Sequence, residues 1–186
     1  MLLVWLLLAA PAKAAPLDYT RGILEQARTI VAGNQAHNEK LTALSVLFGK
    51  FLDTDAMGRE ALGQHWSSFS RAQQKEFLAL FRELLERTYV QKLLLFENPD
   101  FLYAGGQLIR DGAVVDTKIV TPRDEFDFKY RLIPAGQNWV VTAIMVESVN
   151  LTANLGSQLN DLLGRMSADD LLTLMKRKYG NASGEA

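Results

Sequence analysis

The spacing of apolar residues changes twice along the chain, and this order constrains the fold more than any other feature. Helical spacing of three and four residues fills the first half, an alternation of two begins at Asp100, and helical spacing returns at Asn150. Helices, then strands, then helices indicate an α+β domain. The length of 186 residues is that of one ordinary domain able to bury a core.

Three helices are predicted first, and local signals mark the ends of the third. The first covers 17–32, and the second follows the apolar residues of 41–51. Asp53 or Thr54 caps the third, which ends at Gly63 because glycine suits the left-handed position after a helix.

The longest helix is predicted from a capping box at its start. The Ser70 hydroxyl and the Gln73 amide satisfy unpaired N–H groups reciprocally. An unusually wide apolar face follows. The helix should end near Phe96, because Asn98-Pro99 cannot continue it.

Four strands in meander order are predicted next. The turns between them are expected at Asp111-Gly112, at 121–124 and at 134–136. On the third strand apolar residues alternate with charged ones, which predicts one covered face and one solvated, charge-paired face. Two further helices are expected from Asn150 and from Ser167 onward.

The beginning of the chain resembles an export signal. Leu2 to Ala10 is apolar, and the small residues up to Ala14 form a cleavage site, although no basic residue precedes the run. The run is too short for the roughly 20 residues that span a bilayer. We therefore expect a signal peptide at 1–14, one soluble exported domain at 15–179 and a disordered tail at 180–186.

Residue types argue against most catalytic and metal-binding classes. The chain has no cysteine and two histidines, which are too few soft ligands for a convincing zinc site. It contains no nucleophile elbow, Walker A loop or dinucleotide-binding turn. A net charge of −1 indicates no nucleic-acid partner. We expect no catalytic residue, metal or cofactor; only Asp116 or Asp127, if turned into the apolar side, would favour an enzyme.

The order of residues across most of the chain resembles one known family. Phe51-Leu52-Asp53, Ala61-Leu62-Gly63, Trp66 and the residues from Ser70 to Tyr89 follow in close succession. Later matches lie at Asp127-Phe128, Tyr130-Arg131, Trp139, Glu147-Ser148-Val149 and 170–176, with a departure at Ile144-Met145. This order resembles the MlaC family of periplasmic phospholipid carriers, also called the toluene-tolerance family.

The resemblance implies helices over a curved antiparallel sheet that enclose an apolar pocket for acyl chains. It implies a monomeric periplasmic shuttle between an outer-membrane lipoprotein and an inner-membrane ABC transporter with an MCE-domain subunit, in a system of outer-membrane lipid asymmetry. The cargo would be a phospholipid or, as in relatives beside hopanoid-synthesis genes, a hopanoid-like lipid.

The expected lipid-binding residues lie on the long helix, the sheet and the helix that follows it. They are Trp66, Phe77, Phe81, Leu84, Tyr89, Phe126, Phe128, Tyr130, Leu132, Trp139, Val141, Leu151 and Leu155. The apolar pattern by itself favours a filled core and cannot distinguish it from a cavity. An enzyme on a cone-shaped sheet and a periplasmic adaptor with a filled core therefore remain alternatives.

Overall fold

The computed structural model describes residues 14–95 and 99–180, and its first half is a layer of helices. In chain order these are α1 (Pro16–Ala32), α2 (His37–Phe51), α3 (Thr54–Leu62), a 3-10 helix (Gly63–Ser68) and α4 (Arg71–Leu85). The predicted signal peptide and tail lie outside the described residues except for Ala14 and Gly180, as does the predicted helix end at Phe96.

Local hydrogen bonds position the helix ends as predicted. The Asp53 carboxylate accepts a hydrogen bond from the Ala56 N–H at 2.8 Å, and Gly63 follows α3 with a φ of 51°. The Ser70 hydroxyl accepts from the Gln73 N–H at 3.3 Å, while the Gln73 side chain accepts from the Ser70 N–H at 2.8 Å. Both caps rest on residues three positions apart, which is why the sequence reveals them.

The long helix is not uniform, which corrects the prediction of one continuous helix. After α4, Glu86–Val90 forms a π-helical turn in which the Gln91 N–H donates to the Glu86 carbonyl, and α5 (Gln91–Leu93) follows. A π turn accommodates one residue more than an α turn. The periodicity of apolar residues does not show this single extra residue.

The second half forms one antiparallel sheet followed by two helices. Its elements are β1 (Asp100–Ile109), β2 (Gly112–Val120), β3 (Glu125–Ala135), β4 (Asn138–Val146), β5 (Val149–Asn150), α6 (Leu151–Leu163) and α7 (Ala168–Tyr179). The strand order is β1-β2-β3-β4-β5, so the predicted meander is confirmed. The α+β class is confirmed as well.

The sheet has five strands among the described residues, and the prediction of four was wrong. Glu147 and Ser148 have positive φ angles of 49° and 65°, which fold Val149 and Asn150 back onto the end of β4. A strand of two residues is too short to display alternation, and Asn150 is also the N-cap of α6.

Two of the three predicted strand turns lie slightly away from their predicted positions. Ile109 pairs with Gly112, so Arg110 and Asp111 form the first turn and Gly112 belongs to β2. A Cβ atom on Gly112 would lie 2.0 Å from the carbonyl oxygen of Leu132, so the neighbouring strand leaves room only for glycine. The third turn begins one residue after Ala135, while the turn at 121–124 is where it was predicted.

The outer face of the sheet carries paired charges, as predicted for the alternating strand. Lys118 lies 2.9 Å from Glu125, and Lys129 lies 3.3 Å from Asp116. The side chains of Asp116 and Asp127 are 46% and 70% exposed on this face. The arrangement that would favour an enzyme, with either carboxylate turned into the apolar side, is therefore not the one observed.

The apolar residues form two clusters. The sheet cluster packs α1 and α2 against the strands and contains Ile23, Leu24, Ala27, Leu44, Leu47, Phe51, Val90, Phe101, Ala113, Val115, Ile119, Tyr130, Leu132, Trp139 and Val141. The helical cluster joins α3, α4, α6 and α7 through Met57, Ala61, Leu62, Phe69, Phe77, Leu80, Phe81, Leu84, Leu85, Leu155, Leu159, Leu171, Leu172 and Met175.

The corner between α2 and α3 lies against β4. The Asp53 N–H donates to the Val141 carbonyl at 2.8 Å, and Leu52 forms an isolated bridge with the same residue. This contact holds the helical layer beside the sheet where the two clusters meet. None of the helices in the described ranges is long and apolar enough to cross a bilayer.

Candidate binding cavity

A cavity of about 510 Å³ lies between the helical layer and the sheet. Its wall is built by α1, α2, α3, the stretch from α4 to α5, four strands and the start of α6. The apolar and aromatic lining consists of Leu24, Phe48, Phe51, Leu52, Met57, Leu85, Tyr89, Val90, Leu93, Leu95, Phe101, Ile119, Phe126, Phe128, Tyr130, Ile144, Val146 and Leu151. Gly49, Ser45, Thr54, Arg82, Glu86 and Lys92 complete it.

The exposure of the lining residues distinguishes a floor from a mouth. Phe51, Ile119 and Tyr130 are at most 4% exposed and form the floor. Leu95 is 76% exposed, and Lys92 is exposed beside it. The cavity therefore opens beside α5, at Lys92 and Leu95.

Aromatic rings hold the floor in shape. The Tyr130 ring stacks on Phe128 with a centroid distance of 6.1 Å and meets Phe51 at 5.9 Å in a tilted arrangement. These distances are within the range of favourable ring pairs. Burial raises the pKa of Tyr130, so its phenol remains neutral and adds no charge to the apolar floor.

Charged groups lie at the mouth rather than at the floor. The Arg82 guanidinium lies 3.4 Å from the Asp55 carboxylate and also donates to the Thr54 hydroxyl at 3.4 Å. Glu86 is half-buried. Burial and then the charge of Glu83 raise the pKa of Glu86, against a hydrogen bond with Ser45 and the charge of Arg82, which lower it.

The lining offers little for catalysis or metal binding. Its described residues include no histidine or cysteine, and Glu86 is the one carboxylate among them. Across 14–95 and 99–180, no three histidine, cysteine or acidic side chains come together as metal ligands. What this wall can do is exclude water from an apolar ligand while leaving a polar end at the mouth.

The cavity includes five of the thirteen residues that were predicted to bind lipid. They are Tyr89, Phe126, Phe128, Tyr130 and Leu151. Phe126, Phe128 and Tyr130 share the inward face of β3, as their alternation predicts.

The other eight do not line the cavity, and each packs in or against one of the two clusters. Phe77, Phe81, Leu84 and Leu155 are buried in the helical cluster, and Trp66 packs against it. Leu132, Trp139 and Val141 are buried in the sheet cluster. The predicted residues of α4 miss the cavity because the apolar face of this helix packs against α3 and α7.

The predicted lipid site did not include the α2 part of the wall, Phe48 and Phe51. One sequence signal could have indicated it, because Gly49 lies between these aromatic residues inside a helix. Glycine there costs about 1 kcal/mol relative to alanine, and such a position usually has a packing or functional reason. A Cβ atom on Gly49 would meet nothing within 4 Å, so the glycine leaves open space at the wall.

Comparison with known proteins gives a family and a fold. Residues 20–177 match the MlaC protein family. A solved structure of a phospholipid-binding protein from Ralstonia solanacearum, in complex with a phospholipid, superposes with a TM-score of 0.79. It is 18% identical and covers 92% of this chain and 100% of its own. At that identity it shows a shared fold, while the family match covers most of the sequence. The chain therefore belongs to the MlaC family.

Proposed function

We propose that this protein is a periplasmic lipid carrier that holds the acyl chains of a phospholipid in the cavity and transfers the lipid between the outer and inner membranes. The observation that carries the proposal is the cavity itself, with aromatic and aliphatic walls and with its charges near the mouth. Membership of the MlaC family supports it. So does the phospholipid in the similarly folded Ralstonia protein.

The energetics explain why a carrier needs such a cavity. Each methylene group transferred from water to an apolar environment gains about 0.8 kcal/mol. One long acyl chain therefore costs on the order of 10 kcal/mol to expose. A wall that covers the chain removes this cost and leaves the headgroup at the mouth, near the charged side chains of the lining.

The proposed partners follow from the family. They are an inner-membrane ABC transporter with an MCE-domain subunit and an outer-membrane lipoprotein, with this chain acting as a monomer between them. We propose no catalytic step. The outward orientation of Asp116 and Asp127 supports this, since neither carboxylate faces the cavity.

Native mass spectrometry of the protein purified without detergent tests the proposal. We expect a bound species with the mass of a phospholipid, released as the free protein under stronger activation. A bound species with the mass of a hopanoid would show that the cargo belongs to that lipid class instead. A clean unliganded mass from fresh periplasmic extract would contradict lipid carriage and favour an adaptor.

A variant at Gly49 separates occupancy of the cavity from folding of the domain. Gly49→Leu should raise or preserve thermal stability, because glycine costs a helix interior about 1 kcal/mol. The new side chain fills space that about two lipid methylenes would occupy, so bound lipid should fall about tenfold.

Gly22→Leu is the matched control for this change. Gly22 is an exposed glycine inside α1 that does not line the cavity, and a Cβ atom there also meets nothing within 4 Å. Thermal melting and quantified lipid extracts measure both variants. Equal lipid content in Gly49→Leu and Gly22→Leu would show that the wall at Gly49 is not part of the lipid site.

A further inference from the structure

Three charged side chains among the described residues line the cavity, and one of them is already paired. Arg82 lies against the Asp55 carboxylate and the Thr54 hydroxyl, so its charge is balanced within the protein. The other two are Glu86 and Lys92, which carry opposite charges. Within the described ranges, neither of these two makes an ion pair at 4.0 Å or less.

Glu86 is a carboxylate without an ion pair in the described ranges, although the charge of Arg82 acts on it. Its side chain is half-buried beside Leu85, Tyr89 and the other apolar residues of the wall. Burial and then the charge of Glu83 raise its pKa against the hydrogen bond with Ser45 and the charge of Arg82, so the site on balance disfavours the ionised form. A positive group placed at the mouth would stabilise that form.

The geometry of the helix separates the two charges. Glu86 opens the π turn and Lys92 lies in α5, six residues later. Six residues of helix correspond to about 9 Å along the axis. Both side chains nevertheless reach the same cavity, so a polar group at its mouth would lie between them.

We propose that the mouth of the cavity selects a zwitterionic headgroup, with its ammonium facing Glu86 and its phosphate facing Lys92. This inference rests on the proposed lipid-carrying function. A headgroup with a phosphate and no cation would satisfy Lys92 but leave Glu86 unpaired and repelled. A headgroup without charge would satisfy neither side chain.

Competition between two phospholipids tests the inference. The full chain is incubated with vesicles that contain equal amounts of phosphatidylethanolamine and phosphatidylglycerol, and the lipid bound to the re-isolated protein is quantified by mass spectrometry. We expect a two- to fivefold enrichment of phosphatidylethanolamine, the size of effect typical of partly exposed ion pairs. Glu86→Gln should reduce this ratio to about one, and Glu86→Lys should invert it.

Lys92→Met should weaken capture of both lipids, because both contain the phosphate. Glu60→Gln and Lys75→Met are the matched controls, since both residues are exposed and lie outside the cavity lining. They should retain the enrichment of the parent protein.

The outcomes distinguish the selectivity from the carrier function. If the parent protein takes up both lipids equally, or if Glu86→Gln keeps the enrichment, the headgroup inference is wrong while lipid carriage stands. If the parent protein takes up neither lipid, the proposed function itself is contradicted. Circular dichroism spectra of all variants show whether a loss of enrichment results from the change at the mouth or from unfolding of the domain.

Discussion

Replacing Phe128 with aspartate should empty the cavity of lipid while the domain stays folded. The Phe128 ring is half-buried, lines the cavity and stacks on Tyr130 at 6.1 Å. A carboxylate at this position keeps its charge only by retaining water where an acyl chain would lie. We expect co-purified lipid to fall more than tenfold, which corresponds to a loss of about 1.4 kcal/mol or more in binding. The lipid content is measured by extracting lipid from protein purified without detergent.

Arg131→Asp provides the control on the same strand. Arg131 is exposed and belongs to the outward, charged face of β3, so the same aspartate there meets water. Lipid content should match that of the parent protein. If the Phe128→Asp protein is folded and its lipid content is undiminished, this ring is not part of the lipid site and the cargo lies elsewhere.

Replacing Phe77 with alanine should show the opposite behaviour, a large loss of stability with lipid retained. Phe77 is 0% exposed in the helical cluster, where its ring stacks on Phe81 at 5.7 Å and meets Phe69 edge-on at 6.1 Å. Removing a fully buried phenylalanine side chain costs about 3–5 kcal/mol through lost transfer energy and the void left behind. Urea denaturation followed by circular dichroism measures the change.

The matched control is Phe126→Ala, which changes the same residue type in the cavity wall. Phe126 is half-buried and borders existing open space, so its loss should destabilise the fold less than the loss of Phe77. Under native conditions the folded Phe77→Ala protein should still carry lipid. A stability loss below about 1 kcal/mol would contradict the role of Phe77 as a fully packed core residue.

Sequence alone predicts the parts of this fold that depend on near neighbours. The caps at Asp53 and Ser70 involve residues within three positions, and their hydrogen bonds are as predicted. The alternation on β3 likewise predicts which side chains face inward, because side-chain direction in a strand has a period of two. The positions of β5 and the π turn depend instead on one or two residues, which no period can reveal.

The candidate site was predicted less well than the fold for a related reason. Periodicity shows that Phe77 and Phe128 are on apolar faces, but it does not show what each face packs against. In the structure Phe77 meets other helices, whereas Phe128 meets open space. Which apolar face remains unfilled is decided by the arrangement of α2, α4 and the sheet, and that arrangement is tertiary.

The π turn at Glu86–Val90 also makes the cavity tolerant of a change in chain length. A π turn holds one residue more than an α turn, so deleting one residue within 86–90 would leave an ordinary α turn and keep the residues that follow in phase. Lys92 and Leu93, which belong to the wall, would continue to face the cavity. The same deletion within α4 would rotate everything that follows by about 100° and turn these residues away. Homologues should therefore differ in length by one residue more readily in this segment than within α4.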